Sequence, residues 1–214
     1  MKWHGMKQML RRTSIPNKLL DLWPEGFPDY ENWDTIFHHP EWHPEGDHSL
    51  MAHIVTSMDE ADMLLDDHEH GCDKIPDDEL NCDYWFLIKD VVLFHDIGKA
   101  ATVKVNDKGH NSFIMHERVG AEIFRENYAH LYPDDHAEVI EFCIREHMNW
   151  WNVKKQGKSA TIARHRGFDL LCWLCWCDKI AVDKENDWYD RRRHFRHALD
   201  AWEAEMRRIA VFEK

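Results

Sequence analysis

An all-α fold is predicted for this 214-residue chain by three observations. Apolar residues recur at three- and four-residue intervals from Ser49 onward, two segments are apolar almost all round, and no convincing alternating strand appears. Residues 1–42 read differently. They hold Pro16, Pro24, Pro28 and Pro40, which break helices, and Trp3, Trp23, Trp33 and Trp42, which need something to cover. The expectation is an arm over residues 1–42, packed on one domain formed by residues 43–214.

The elements follow in order. Leu50, Met51, Ile54, Val55, Met58, Ala61 and Leu65 make one face of an amphipathic first helix, and residues 66–78, with Gly71 and Pro76, read as a polar loop. Residues 80–95 carry Trp85, Phe86, Leu87, Ile88, Val91, Val92, Leu93 and Phe94, so a second helix is expected at the centre of the bundle. A loop containing Gly98 and Gly109 comes next. Residues 116–131 fit a third helix with Val119, Ile123 and Phe124 inward, ended by Pro133. Residues 134–147 fit a fourth with Val139, Ile140 and Cys143 inward, and residues 168–182 a fifth that is buried. Trp188, Phe195, Leu199, Trp202, Met206 and Ile209 then form one stripe of a long charged helix, expected to close the bundle.

Composition narrows the function classes. Hydrophobic residues make up 43% and charged residues 31%, which supplies a packed core and excludes wholesale disorder. No apolar run reaches the ~18 residues of a spanning helix. Residues 1–12 are basic but lack an apolar signal core, so secretion is not expected and a cytoplasmic location is. The 27 Lys+Arg against 40 Asp+Glu give a net charge of −13, which repels phosphate backbones and disfavours duplex nucleic acid as a partner. A phosphate ligand would need local cations. The six Cys read as reduced thiols. Cys172, Cys175 and Cys177 resemble a metal knuckle, but the second pair is absent and their stretch is apolar, so core packing is the preferred reading. Seventeen His are too many for surface decoration, and His is the commonest metal ligand.

The strongest local feature is Leu93-Phe94-His95-Asp96-Ile97-Gly98-Lys99, where an apolar helix ends in an adjacent imidazole and carboxylate and a turn returns a lysine. Adjacent residues on a helix point about 100° apart. His95 and Asp96 can therefore share an ion only where the helix is ending, or where the carboxylate bridges two ions. His116 opens the third helix and His147 closes the fourth; each also reads as a cap or an exposed side chain. Asp178 sits in the apolar fifth helix, where a carboxylate is costly unless it is paired or metal-bound. A buried salt bridge to Arg164 or Arg166 and a metal ion are equal alternatives for it.

With these residues in order, the chain resembles the HD-domain metal-dependent phosphohydrolase superfamily, and within it the HD domain of bacterial tRNA nucleotidyltransferases (CCA-adding enzymes). The likeness rests on His43-Pro44-Glu45-Gly46-Asp47, the stretch from His95 to Lys99, His116-Glu117 with Gly120-Ala121, then His147 and Asp178, and it spans residues 42–183. The polymerising activity of those enzymes is not implied, since 42 residues cannot hold their catalytic domain. Two residues fit the family's first histidine. His53 matches in Ser49-Leu50-Met51-Ala52-His53, and His48 matches in His48-Ser49-Leu50. His53 is favoured because Asp59-Glu60-Ala61 then falls in register.

The resemblance implies an HD-domain helical bundle and two divalent ions. A first site would use His53 (or His48), His95, Asp96 and Asp178; His116 and His147 would add a second, with Asp96 as the bridge. Imidazole plus carboxylate suits Mn, Fe, Co, Ni or Zn, with Mg kept as a candidate. The implied activity is hydrolysis of a nucleotide, cyclic nucleotide or related small phosphate ester by a metal-bound hydroxide, with Lys99 beside the phosphoryl oxygens. Arg118 and Arg164 are secondary phosphate candidates, and a surface or bridging role is the preferred reading of each. Two alternatives keep the fold: a mixed-valence di-iron oxygenase, and a degenerate module that binds a nucleotide without turning it over.

Overall fold

The computed structural model describes residues 32–38, 49–70, 83–148, 162, 164–182, 204, 207–208 and 211. Helix α1 (Leu50–His70) leads into the short α2 (Ile88–Phe94) and α3 (Lys99–Thr102). A two-residue hairpin of β1 (Lys104–Val105) and β2 (Asn111–Ser112) follows, then α4 (His116–Asn127), α5 (Asp134–Glu146) and α6 (Phe168–Val182). The fold is all-α. Among the described residues, no helix is long and apolar enough to cross a membrane.

The central position of α2 follows from its composition. All seven of its residues are buried, including Lys89 and Asp90, and it packs against α1, α5 and α6. Lys89 pairs with Asp62 of α1, and Tyr132 donates a 3.2 Å hydrogen bond to Asp90. Burial pushes the Asp90 carboxyl up to about 7, against the opposing pull of Tyr132 and Lys89. On the far side of α2, Phe94 meets the rings of Phe124 and Tyr128 at 5.0 Å each, and Phe124 meets Tyr132 at 5.8 Å. Tilted and edge-on aromatic packing of this kind fills the space between α2 and α4.

The segment ahead of α1 is built into the same core. Trp33 and Ile36 are buried. The carbonyls of Trp33 and Ile36 accept from Met51 N (3.3 Å) and Leu50 N (2.8 Å), Phe37 forms an antiparallel bridge with Ser49, and Ser49 Oγ accepts from Ala52 N at 3.1 Å. The first turn of α1 is thus capped by the segment before it and by its own serine.

Several sequence expectations change in detail. Residues 66–70 continue α1, although the apolar stripe ends at Leu65, since no Gly or Pro stands between Leu65 and Gly71. The second helix is shorter than expected, because residues 83–84 form a turn and Trp85–Leu87 a 3-10 turn before α2. The third ends at Asn127, with a separate 3-10 turn at Ala129–Leu131. On α4 it is Gly120, Ala121 and Phe124 that are fully buried, while Val119 and Ile123 are half-buried. The hairpin inside the expected loop escaped notice because two-residue strands show no alternation; its turn uses Gly109 at φ +79° and Asn106 Oδ1, which accepts from Lys108 N and His110 N. The boundaries of α6, and the burial of Val139, Ile140 and Cys143 on α5, agree with the spacing. The stripe residues Trp188, Phe195, Leu199, Trp202, Met206 and Ile209 lie outside the described residues. Arg207, within the same span, pairs with Asp169 and lies over the Phe168 ring.

Candidate metal centre

His95 and Asp96 sit immediately after α2, in the turn of residues 95–98. With the helix ended, the two neighbours face one interior point, and the Asp96 carboxylate divides its oxygens. Oδ2 lies 3.2 Å from His95 Nε2 and 3.3 Å from His53 Nε2. Oδ1 lies 3.2 Å from His116 Nε2 and 3.7 Å from His147 Nε2. His53 comes from the first turn of α1 and Asp178 from α6, where Asp178 Oδ1 approaches His53 Nε2 at 3.0 Å and His95 Nε2 at 3.8 Å. His116 opens α4 and His147 follows α5, their Nε2 atoms 3.2 Å apart. The ligand atoms fall into two groups within 4.8 Å: His53, His95 and Asp178, then Asp96, His116 and His147.

Three of the rings are aimed by the same local device. His95 Nδ1 donates to Val92 O at 2.7 Å, His116 Nδ1 to Phe113 O at 2.8 Å, and His147 Nδ1 to Ile144 O at 2.7 Å. A neutral imidazole that donates from Nδ1 carries its lone pair on Nε2. Each ring is therefore held in the tautomer that offers Nε2 to the interior, which is how ligating histidines are oriented.

Close backbone contact joins the two halves. A Cβ on Gly98 would lie 2.1 Å from His116 O and 2.5 Å from Gly120 N, so only glycine lets the turn after Asp96 press against the start of α4. Met115, just before His116, adopts φ +65° without being glycine. Such a conformation costs roughly 1–2 kcal/mol, and it turns the chain into α4 at the point where His116 must face inward.

The electrostatics follow from opposed groups packed together in the interior. Burial works to raise the Asp96 carboxyl, yet His95, Lys99, His116 and His147 together hold it well below the usual carboxylate range. Asp178 is likewise held low by His53 and His95 despite its burial. Burial disfavours charge on His53, but its bonds to Asp178 and Asp96 outweigh that and raise its pKa. Burial lowers His147, whose neighbours His116 and His95 reinforce the effect. Ionised carboxylates and imidazole nitrogens with a free lone pair are the forms in which these side chains bind a divalent cation. A cation fits the donor set by two tests. Four imidazoles with two carboxylates suit borderline first-row metals, and Asp96 Oδ1, fully buried, receives no hydrogen bond of good geometry.

The family model described as HD domain matches residues 87–177. The chain carries an HD domain. No curated protein matches it as a relative. The match contains His95, Asp96, His116 and His147; Asp178 follows it directly and His53 precedes it, so the cluster extends past the matched HD segment at both ends.

Around the HD domain's cluster the other sequence candidates divide. Lys99 is buried, donating to Asp96 Oδ2 at 2.5 Å and to His38 Nε2 at 2.8 Å. Arg118 and Arg164 are solvent-exposed. Asp178 is paired with His53 rather than with an arginine, and Arg166 pairs with Glu138. His48, residues 43–47, and Trp150 and Trp151 lie outside the described residues. Cys172, Cys175 and Cys177 are buried free thiols, burial beside Asp178 pushes the Cys175 thiol well up, and among the described residues none of the three falls in a group of potential metal ligands. His38 is the residue that sequence reasoning missed. It lies 61 positions before Lys99 in a segment without motif spacing, and only the surplus of histidine pointed toward it.

Proposed function

We propose that this chain is a divalent-metal phosphohydrolase acting on small phosphate esters, with nucleotides and cyclic nucleotides as the first substrates to try. The observation that carries the reading is Asp96, whose two oxygens face two separate sets of imidazoles while Lys99 is fixed beside it. His53, His95, Asp96 and Asp178 would hold one ion, and His116, His147 and Asp96 a second. Bound divalent ions would supply Lewis acidity toward phosphoryl oxygens and acidify water to a pKa of about 7.

The chain's own residues do the rest. The Nδ1–H bonds fix the rings, so little reorganisation is needed on binding. Lys99 brings a positive charge to the rim, where phosphoryl oxygens gain charge as a bond to phosphorus breaks. A net charge of −13 favours a small substrate over a long polyanion. A degenerate module would lack ligands, whereas all six positions are filled and converge, which weighs against that alternative.

The test is a matrix of Mg, Mn, Co, Ni and Fe against nucleotides, cyclic nucleotides and phosphomonoesters, with metal content measured as purified. Metal-dependent release of phosphate or ring opening, lost in Asp96→Ala, is expected. Absence of hydrolysis with every metal, together with substrate-dependent oxygen uptake by the iron-loaded chain, would replace the reading with the oxygenase one.

A further inference from the structure

We infer that His38, from the segment ahead of α1, is a positioning residue that holds Lys99 at the rim of the cluster while leaving its charge available to an anion; this rests on the phosphohydrolase reading above. Lys99 Nζ has three N–H groups. One goes to Asp96 Oδ2 at 2.5 Å, another to His38 Nε2 at 2.8 Å, and the ammonium lies 5.5 Å from the Phe113 ring centroid. Lysine has no acceptor, so His38 Nε2 must accept, and its ring is the neutral partner.

Two features make the second acceptor matter. Asp96 Oδ2 is shared, since it also faces His53 and His95, and any cation drawn to those rings competes with Lys99 for it. His38 lies outside the two ligand groups. It therefore keeps the flexible lysine stem in place when the carboxylate is engaged elsewhere. A carboxylate in the place of His38 would hold Lys99 equally well but cancel its charge. An imidazole fixes the ammonium without neutralising it.

The placement of His38 is built in. Its neighbour Phe37 bridges to Ser49, and Phe37 O accepts from Asn111 Nδ2 of β2 at 3.0 Å. The His38 ring packs edge-on to His53 at 5.1 Å and against Phe113 at 5.6 Å. Phe113 in turn accepts the His116 Nδ1–H through its carbonyl. One loop residue thus contacts the holder, the lysine and a ligand of the cluster. His38 lies well ahead of the matched residues 87–177.

The experiment uses the full chain loaded with manganese and titrated with inorganic phosphate by calorimetry. His38→Leu is expected to weaken phosphate binding about tenfold, the size of one hydrogen bond to a charged group, with manganese stoichiometry unchanged. His38→Gln, whose amide oxygen can accept from Lys99, should stay within about twofold of native, while His38→Glu should be at least as weak as His38→Leu. In a Lys99→Met background His38→Leu should add no further loss. Native-like binding by both His38→Leu and His38→Glu, or an undiminished loss in that background, would overturn the inference. If His38→Leu does not fold, the Gln and Glu variants decide it. Should the native manganese-loaded chain bind no phosphate, the phosphohydrolase reading fails, and acetylation of Lys99 by acetic anhydride, followed by mass spectrometry, still judges His38. Several-fold faster labelling in His38→Leu than in native supports the holding role, and equal rates refute it.

Discussion

Gly98 and His116 touch through their backbones, with the carbonyl of His116 occupying the space that any side chain at position 98 would need. The contact fixes the distance between the turn that carries Asp96 and the helix that His116 opens. Gly98→Ala places its Cβ against two backbone atoms that cannot rotate away, so the turn and α4 must separate. We expect a loss of about 3 kcal/mol in urea denaturation, together with weaker metal retention. Unchanged stability would show that the backbones can part without cost.

Among the described residues, Asp96 is the carboxylate whose two oxygens face the two ligand groups. Metal analysis after gel filtration should find about two manganese ions per native chain, about one in His116→Ala, and none in Asp96→Ala. Equal occupancy in Asp96→Ala and His116→Ala would remove the carboxylate from its bridging role.

Met115 stands at φ +65° with a half-exposed side chain. Met115→Gly relieves the backbone conformation and loses little packing, so the chain should gain up to about 1 kcal/mol; Met115→Val, β-branched, should lose about as much. Chemical denaturation of the metal-free protein measures both. Opposite signs for the two substitutions are the signature of strain.

Asp90 gives a pH dependence. Its folded pKa, raised to about 7, exceeds the unfolded value, so between pH 4 and 7 the native chain retains a proton that the unfolded chain releases. Its contribution is therefore complete below the unfolded pKa and is lost as pH rises through the folded one. Asp90→Asn keeps an oxygen for the Tyr132 hydroxyl and removes this slope. Measured against native, the variant should gain about 4 kcal/mol between pH 4 and pH 8, from a rise of the carboxyl by roughly three pH units at about 1.36 kcal/mol each. Parallel stability curves would place the ionised carboxylate in a better-solvated site.

The long, strongly patterned elements were legible in the sequence. The stripe from Leu50 to Leu65 and the apolar run of α6 needed only periodicity to be found, and the turn after Phe94 needed only an imidazole-carboxylate pair at a helix end. The convergence of His53, His95, Asp96, His116, His147 and Asp178 followed the order of the family likeness, but their distances could come only from packing. What stayed hidden had no period. The hairpin is too short to alternate, the backbone contact at Gly98 depends on another helix, and His38 reaches Lys99 across 61 residues through the bridge of Phe37 to Ser49.

The rings of His95, His116 and His147 are each braced by a carbonyl three residues earlier in the same chain. Their aim is thus set by short peptide segments rather than by the identity of distant side chains. Pocket walls can be exchanged, and specificity retuned, without re-solving the orientation of half the cage. A scaffold with self-contained struts of this kind is well suited to redesign, because its loops can diverge while those three nitrogens keep their bearing.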